Sequence, residues 1–319
     1  MDLDLAQVRA FLATAEHRHF RRAAEELALT QQALSKRIAR LEQGLGERLL
    51  ERGAGGVELT AAGARFLEPA RAALAAANAA VEAVRGTVRP VRLDVWGHLF
   101  APLRTVRQVV DDPAAHGPAP VEVGLGRDLP SAAGALLRGE VDAGFGRRYP
   151  LGEGRDGALA HRLVRLEPVD AVLGPDHPLA GADALRPTDL RHGRLLLPAA
   201  LDRLDFLQRF AERFGVAGVV VEANLGVEHF LPRLRDVPDG FTLVPAEVPL
   251  PPGVRAVPLV DPTPLYAWSL IWPRERPHPG VAELLRGFVE VGRRHRWLEY
   301  RPGRDWLPEA DQGELPDRP

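Results

Sequence analysis

The chain has 319 residues, carries 41 Lys and Arg against 43 Asp and Glu, contains no cysteine and is 45% apolar. Such a length has room for two or three domains with ample core. The missing cysteines exclude disulfides, thiolate zinc sites and thiol nucleophiles, and the near-zero net charge supplies no overall basic field for nucleic acid. No run of about 18 apolar residues is present, and the opening MDLDLAQVRAF lacks a basic-then-apolar signal, so a cytoplasmic protein is expected. Lys36 is the only lysine, and the bias toward Arg, Ala, Gly and Pro points to a GC-rich genome.

In chain order, Leu5, Val8, Phe11, Leu12 and Ala15 form one helical stripe across Asp4–Glu16. His17-Arg18-His19-Phe20 links it onward; Phe20 reads as core, and Arg18, Arg21 and Arg22 as phosphate contacts. His17 and His19 stand two residues apart with no further ligand in sequence, so no metal is expected. Arg21–Leu45 then reads as two helices joined at Ala28, Leu29 and Thr30. Thr30 offers its hydroxyl to the free N–H groups of the second helix, whose apolar stripe is Leu34, Ile38 and Leu41. The opposite face carries Gln31, Gln32, Ser35, Lys36, Arg37 and Arg40 with no acid among them. Amides suit bidentate bonds to adenine, guanidinium suits guanine, and hydroxyl or ammonium suits phosphate. An ordinary amphipathic surface helix has the same periodicity, so this segment leaves both readings open.

Glu47–Leu50 is expected to add a last helical turn. Glu51–Thr60, with Gly53, Gly55 and Gly56 at its centre, reads as a β-hairpin wing whose Arg52 is placed for a minor groove. From Thr60 to Arg85 an alanine-rich helix follows, with Pro69 as a potential bend. Small residues over so many turns allow two helices to pack closely, which suggests dimerisation; a plain spacer is the alternative. Gly86–Pro90 ends it.

Residues 5–63 resemble the winged helix-turn-helix of LysR-type bacterial transcription regulators. The matching positions are Leu5, Val8–Leu12, Phe20, Ala23-Ala24, Leu27, Thr30-Gln31, Ala33-Leu34-Ser35, Ile38, Leu41-Glu42, Leu45-Gly46, Leu49-Leu50, Arg52, Leu59-Thr60 and Gly63. The resemblance implies base contacts from Gln31 and Arg37, phosphate contacts from Ser35 and Lys36, and a homo-oligomer, usually a tetramer. This chain departs from the family in having His19 where a serine is frequent and Gln32 where a proline is frequent. Its wing offers Ala54, Gly55 and Gly56 in place of a second basic residue.

From Val91 to about Leu298, extended and helical patterns alternate, as in an α/β domain. VRLDVWG, VEVGLG and EVDAGFG read as strands, with LFAPLRTVRQVV and LPSAAGALLRG as helices between them. LDFLQRFAERFG and HPGVAELLRGFVEVGRRHRWL are later helices; VVVEA, DGFTLVP and YAWSLIWP are later strands. Gly139–Gly144 resembles the family's G-x-x-D signature, and His177-Pro178-Leu179-Ala180 its second-subdomain opening, whereas Ala223–Val227 replaces the family's glycine-rich turn. The resemblance implies two α/β subdomains of periplasmic-binding-protein type. The chain crosses between them near Leu163–Leu166 and again near Leu265–Trp272.

The expected fold class is therefore α/β with an N-terminal all-α winged helix-turn-helix. The expected boundaries are a DNA-binding domain over 1–60, a linker helix over 61–88 and an effector domain over 89–300. Within the last, the first subdomain takes about 91–164 and 270–300 and the second about 165–269, followed by a disordered tail over 301–319.

Ligands of such folds bind outside the carboxyl ends of the strands. The candidates there are Trp96, His98 and Leu99, then Arg127, Leu129 and Ser131, then Phe145 and Arg147, with Pro198 and Asn224 from the second subdomain. This mixture suits an aromatic or amphipathic carboxylate. No phosphate loop, G-x-S-x-G elbow or H-E-x-x-H pair occurs, so neither catalysis nor a cofactor is expected. The expected partners are a pseudo-palindromic double-stranded operator, a small effector and a second copy of the chain. Two alternatives stay open: a DNA-binding regulator without an effector, and a small-molecule binding protein without DNA specificity.

Overall fold

The computed structural model describes residues 3–53, 56–85, 89–97, 101–112, 119–126, 128–152, 154–199, 204–222, 227–246, 248–275 and 277–315. Two compact units result, one of residues 1–89 with 138–140, the other of residues 90–137 with 141–319.

The first unit begins with α1 (Leu5–His17), α2 (Phe20–Glu26) and α3 (Gln31–Leu45). Each start has a side-chain cap that relieves an otherwise unpaired N–H. Asp4 accepts from the Ala6 N–H at 2.7 Å, His19 from Arg21 at 3.2 Å and Thr30 from Ala33 at 3.2 Å. Val8, Phe11, Ala23, Ala24, Leu34, Ile38 and Leu41 bury themselves between the helices, joined by Leu49, Leu50 and Val57. Burial of each larger side chain contributes about 1.5–3 kcal/mol.

Gly46, in the left-handed region at φ 72°, ends α3, and the helical turn expected over Glu47–Leu50 does not form. Instead the Glu42 carboxylate accepts the N–H groups of Leu49 and Leu50, at 2.8 and 3.0 Å. Leu50 then opens the hairpin of β1 (Leu50–Gly53) and β2 (Gly56–Leu59). The hairpin is pinned to the turn between α1 and α2 by the Val57 N–H, which donates to the Arg18 carbonyl at 2.9 Å. Gly56 lies against that carbonyl at φ 130°, where an added Cβ would come within 2.5 Å of the oxygen. Thr60 follows, accepting from the Gly63 N–H at 3.0 Å and so starting the long helix α4 (Ala61–Arg85), which contains Pro69.

The second unit contains, in order, β3 (Val91–Val95), α5 (Pro102–Val110), β4 (Val121–Leu125), α6 (Leu129–Leu137), β5 (Ala143–Gly146), α7 (Arg155–Ala158) and β6 (Leu159–Leu173). It continues with β7 (Arg194–Leu197), α8 (Asp205–Phe214), β8 (Gly218–Val221), α9 (Val227–Phe230), β9 (Gly240–Pro245) and β10 (Arg255–Pro258). Last come β11 (Thr263–Pro273), α10 (Pro279–His295), β12 (Asp305–Trp306) and α11 (Glu309–Gln312). The main sheet has the order β4-β3-β5-β11-β6-β9-β7-β8. Strands β3, β4 and β5 are parallel, as are β7, β8 and β9. The long antiparallel strands β6 and β11 join the two parallel groups: β11 pairs with β5 through Ser269–Ile271, and β6 pairs with β9 through Val169–Leu173. The Asp142 carboxylate accepts from the Arg92 backbone N–H at 2.9 Å and from its Nε at 3.1 Å, fixing the entry of β5 beside β3.

The expectation of disorder from Arg301 onward is corrected over Arg301–Leu315. There β12 pairs with β11, Trp306 is nine-tenths buried, and Leu307 is fully buried against Leu163, Leu166, Leu265 and Ala267. Proline and acidic residues dominate the composition of this stretch, but two large apolar side chains suffice to dock it. Residues 316–319 lie outside the described residues.

Candidate nucleic-acid interface and ligand cleft

Helix α3 turns Leu34, Ile38 and Leu41 inward and leaves Gln31, Gln32, Ser35, Lys36, Ala39 and Arg40 exposed. At 100° per residue, Gln32, Lys36, Ala39 and Arg40 lie farther from the buried stripe than Ser35, while Arg37 lies on its flank, half-buried. Ala39, the smallest of these, lets the helix axis come close to whatever the face meets. Among the described residues no carboxylate pairs with Lys36, Arg37 or Arg40. The acid of α3, Glu42, is turned back onto the Leu49 and Leu50 N–H groups. The face is therefore cationic although the chain is nearly neutral. Thr30 caps the helix and remains exposed, as does Arg22 on α2. Arg52 lies on β1, but its side chain is outside the described residues. The two histidines between α1 and α2 have local roles: His17 pairs with Glu26, and His19 caps α2.

In the second unit the residues placed in a crevice by sequence separate into three groups. Trp96, Leu129 and Phe145 are core residues, a correction to that expectation. Trp96 lies flat on β5, where a Cβ on Gly144 or Gly146 would meet its ring within 2.8 and 2.1 Å. Its Nε1 donates to the Arg147 carbonyl at 3.2 Å. The alternation in Ala143-Gly144-Phe145-Gly146 thus makes a floor for one indole, and on the other face Phe145 stacks between Trp268 and Phe288, with centroids 5.1 Å away in each case. Leu129 packs beside Trp96, Ala132 and Leu136.

Arg147 is the second group by itself. It is 3% exposed, and its Nε and Nη2 donate to Asp205 at 3.0 and 2.8 Å, while Nη1 donates to Asp311 at 2.5 Å. Its guanidinium also sits 5.6 Å from the Phe206 ring centroid and 5.8 Å from that of Tyr266. Burial works against its charge, yet Asp311 and Asp205 hold its pKa above the ordinary value. Burial pushes the Tyr266 phenol well up. Sequence reading expected Arg147 to meet an effector; in the fold its guanidinium is held by the chain's own Asp205 and Asp311. The third group, Ser131 and Pro198, remains accessible, exposed for Ser131 and half-buried for Pro198. His98, Leu99, Arg127 and Asn224 lie outside the described residues.

Comparison with known proteins decides the family. Residues 5–64 match the model of the bacterial regulatory helix-turn-helix protein, lysR family, and residues 127–293 match that of the LysR substrate binding domain. The chain belongs to the LysR family. It is 32% identical over 302 residues, 91% of its length, to the HTH-type transcriptional regulator IlvR of Caulobacter vibrioides, covering 99% of that protein. It is 37% identical over 198 residues to the HTH-type transcriptional regulator ShiR of Corynebacterium glutamicum, a match spanning 59% of this chain and 63% of that one. Full-length CbnR, solved in complex with its target DNA, superposes with a TM-score of 0.63 at 23% identity, over 92% of this chain and 99% of CbnR. This protein is accordingly a LysR-type, DNA-binding transcriptional regulator with an effector-binding domain.

Two features of the regulator's second unit escaped sequence reading. Glu167, 2% exposed on β6, accepts from Arg104 Nη2 at 2.6 Å and Trp268 Nε1 at 2.7 Å and forms an ion pair with Arg165 Nη2 at 2.8 Å. Arg104, on α5, also donates to the Ala246 carbonyl beyond β9 at 3.1 Å, so one buried carboxylate ties together elements from both sheet halves. The signal was present in VRLEPVDAVL, where a charged pair interrupts a strand apolar on both faces. Asp205 and Asp311 had no such signal, because each is an ordinary acid near a helix start until the fold brings it to Arg147. Among the described residues no group of three His, Asp or Glu is arranged to hold a metal, and no helix is long and apolar enough to cross a membrane.

Proposed function

We propose that α3 of this regulator enters the major groove, where Gln31, Gln32 and Arg37 read base edges and Ser35, Lys36 and Arg40 meet phosphates. Thr30 and Arg22 hold the adjacent backbone, and Arg52 of the wing reaches the neighbouring minor groove. The observation that carries this reading is the acid-free cationic face of α3, with its single acid turned onto the backbone at Leu49 and Leu50. Near neutrality of the whole chain then costs little, because only charges within about a Debye length of the phosphates count.

Helix α4, spanning 25 residues of largely Ala, pairs two copies of the chain, so that two α3 helices meet the half-sites of a pseudo-palindromic operator. The division proposed is a DNA-binding domain over 1–60, a linker over 61–88 and an effector domain from 89, which the docked segment Arg301–Leu315 extends past 300. The effector lies at the carboxyl ends of the parallel strands, against Ser131 and Pro198 and the sequence positions His98, Leu99, Arg127 and Asn224. Trp96, Leu129 and Phe145 support this crevice from the core. The regulator works in the cytoplasm, without catalysis or a cofactor.

The test is a DNase footprint of the purified regulator on its own upstream intergenic DNA. Two protected half-sites a whole number of helical turns apart, about 10–10.5 bp per turn, are expected. Absence of protection there and in a genome-wide binding selection would overturn the reading.

A further inference from the structure

The segment after α10 has two parts held by different forces. Asp305–Pro308 is an apolar anchor. Leu307 is fully buried, and Trp306 packs on α8 with ring centroids 5.8 Å from Phe206, 6.0 Å from Phe210 and 5.1 Å from Phe214. Beyond Pro308 the attachment is mainly by charge. On α11 the buried residue is Asp311, bonded to Arg147, with Glu309, Ala310 and Gln312 exposed. Glu314 reaches Arg148 Nη1 at 3.3 Å and His161 Nε2 at 2.7 Å. Leu315 adds a partly buried apolar contact.

Arg147, Arg148, Arg209 and Asp205 line the small cavity under α11 together with Tyr149 and Leu163. Its volume of about 10 Å³ holds the centre of one water and no effector. With Asp311 and Glu314 lifted away, Arg147 keeps Asp205 and Arg148 keeps Asp156, while Arg147 Nη1, Arg148 Nη1 and His161 Nε2 lose their partners. Three arginines then face two carboxylates, with aromatic and aliphatic walls from Tyr149, Phe206 and Leu163. Such a site carries net positive charge and has donors for two acid groups.

We propose that Glu309–Leu315 is a tethered plug whose Asp311 and Glu314 carboxylates occupy a site for a short dicarboxylate, which binds by displacing them. Asp311 and Glu314 stand three residues apart, with the Glu314 N–H donating to the Asp311 carbonyl at 3.1 Å, so both carboxylates enter from one turn and the matching free ligand is a short diacid. The plug exchanges one set of charge-assisted hydrogen bonds for another, while Trp306 and Leu307 keep the segment attached. This rests on the reading of the second unit as an effector domain and adds a diacid site in it, lined by Arg147, Arg148 and Arg209, with its own gate.

The experiment uses the full chain, with succinate and adipate as probes and succinamide as the uncharged control. Calorimetric titration compares the wild type with Asp311→Asn/Glu314→Gln, which keeps side-chain shape and removes the competing charge. At least tenfold tighter diacid binding is expected in the variant, with none for succinamide, and Arg148→Gln in the same background is expected to abolish the gain. In the wild type, saturating diacid is expected to speed amide hydrogen exchange over residues 309–315. Equal affinity in both proteins with unchanged exchange would mean that the acid binds elsewhere, which overturns the plug and leaves the effector reading standing. No diacid binding to either protein at millimolar concentration also overturns it. Glu314→Gln alone, at a half-buried position, carries the same comparison should the double variant not fold.

Discussion

Lys36 offers the sharpest test of how α3 meets DNA. Its ammonium is exposed near the middle of the outward face, with no acidic partner among the described residues. Each phosphate neutralised on B-DNA contributes about 0.9 to the slope of log affinity against log salt. A dimer presents Lys36 twice, so Lys36→Ala should reduce the slope by about 1.8. Over a fourfold rise in salt, from about 50 to 200 mM, the wild type then loses roughly 12-fold more affinity than the variant, and the two curves converge. Alanine is the better helix former, so the scaffold of α3 is not weakened. Fluorescence anisotropy on an operator duplex and a random duplex across a salt series measures both slopes, with Lys36→Arg as the charge-preserving control. Parallel curves for wild type and Lys36→Ala would refute the phosphate assignment. A loss confined to one operator base would make Lys36 a reader of sequence instead.

Three other outcomes follow from named contacts. Arg37→Ala should cost about 1–3 kcal/mol on the operator and much less on random DNA, since a bidentate base contact carries discrimination; equal losses in a competition assay would reassign it to phosphate. Phe145→Ala empties a fully buried site stacked on Trp268 and Phe288 and should destabilise the second unit by about 3–5 kcal/mol. Urea unfolding followed by tryptophan fluorescence measures this, and a loss below about 1 kcal/mol would return Phe145 to the crevice. His177 is nearly buried, its Nδ1 accepts the Leu179 N–H at 3.0 Å, and burial holds its pKa below the ordinary 6.5. A depressed base contributes stability that is complete above its unfolded pKa and is lost as pH falls through the folded one. The stability advantage of wild type over His177→Gln should therefore shrink below pH 6.5, and a difference constant with pH would contradict this assignment.

The first unit was readable in sequence because its determinants are local. A side-chain cap starts each of the first three helices and an apolar stripe orients it, and for α3 Thr30 supplies the cap, Leu34, Ile38 and Leu41 the stripe and the left-handed Gly46 the stop. The error at Glu47–Leu50 came from the one contact that spans seven and eight residues, in which Glu42 accepts the N–H groups that a helical turn would have used internally. Periodicity cannot register such a contact, since Leu49 and Leu50 are apolar and buried in either conformation.

The second unit reverses that relation. Its strands were legible, but the chemistry at their ends was not, because the decisive pairs lie far apart in the chain. Arg147 meets Asp205 and Asp311 across 58 and 164 residues, and Arg104 meets Glu167 across 63. An arginine next to a strand end reads identically whether it awaits a ligand or is already held by the chain's own acids. What separates these cases is the strength of the competing partner. Asp205 grips Arg147 through two hydrogen bonds from the first turn of a helix that buries three phenylalanines, so it belongs to the scaffold. Asp311 sits on a four-residue helix with no other buried side chain. Its own desolvation, which pushes the carboxyl's pKa up despite the guanidinium, weakens its hold further. Of the two acids on Arg147, Asp311 is the one a free carboxylate can replace.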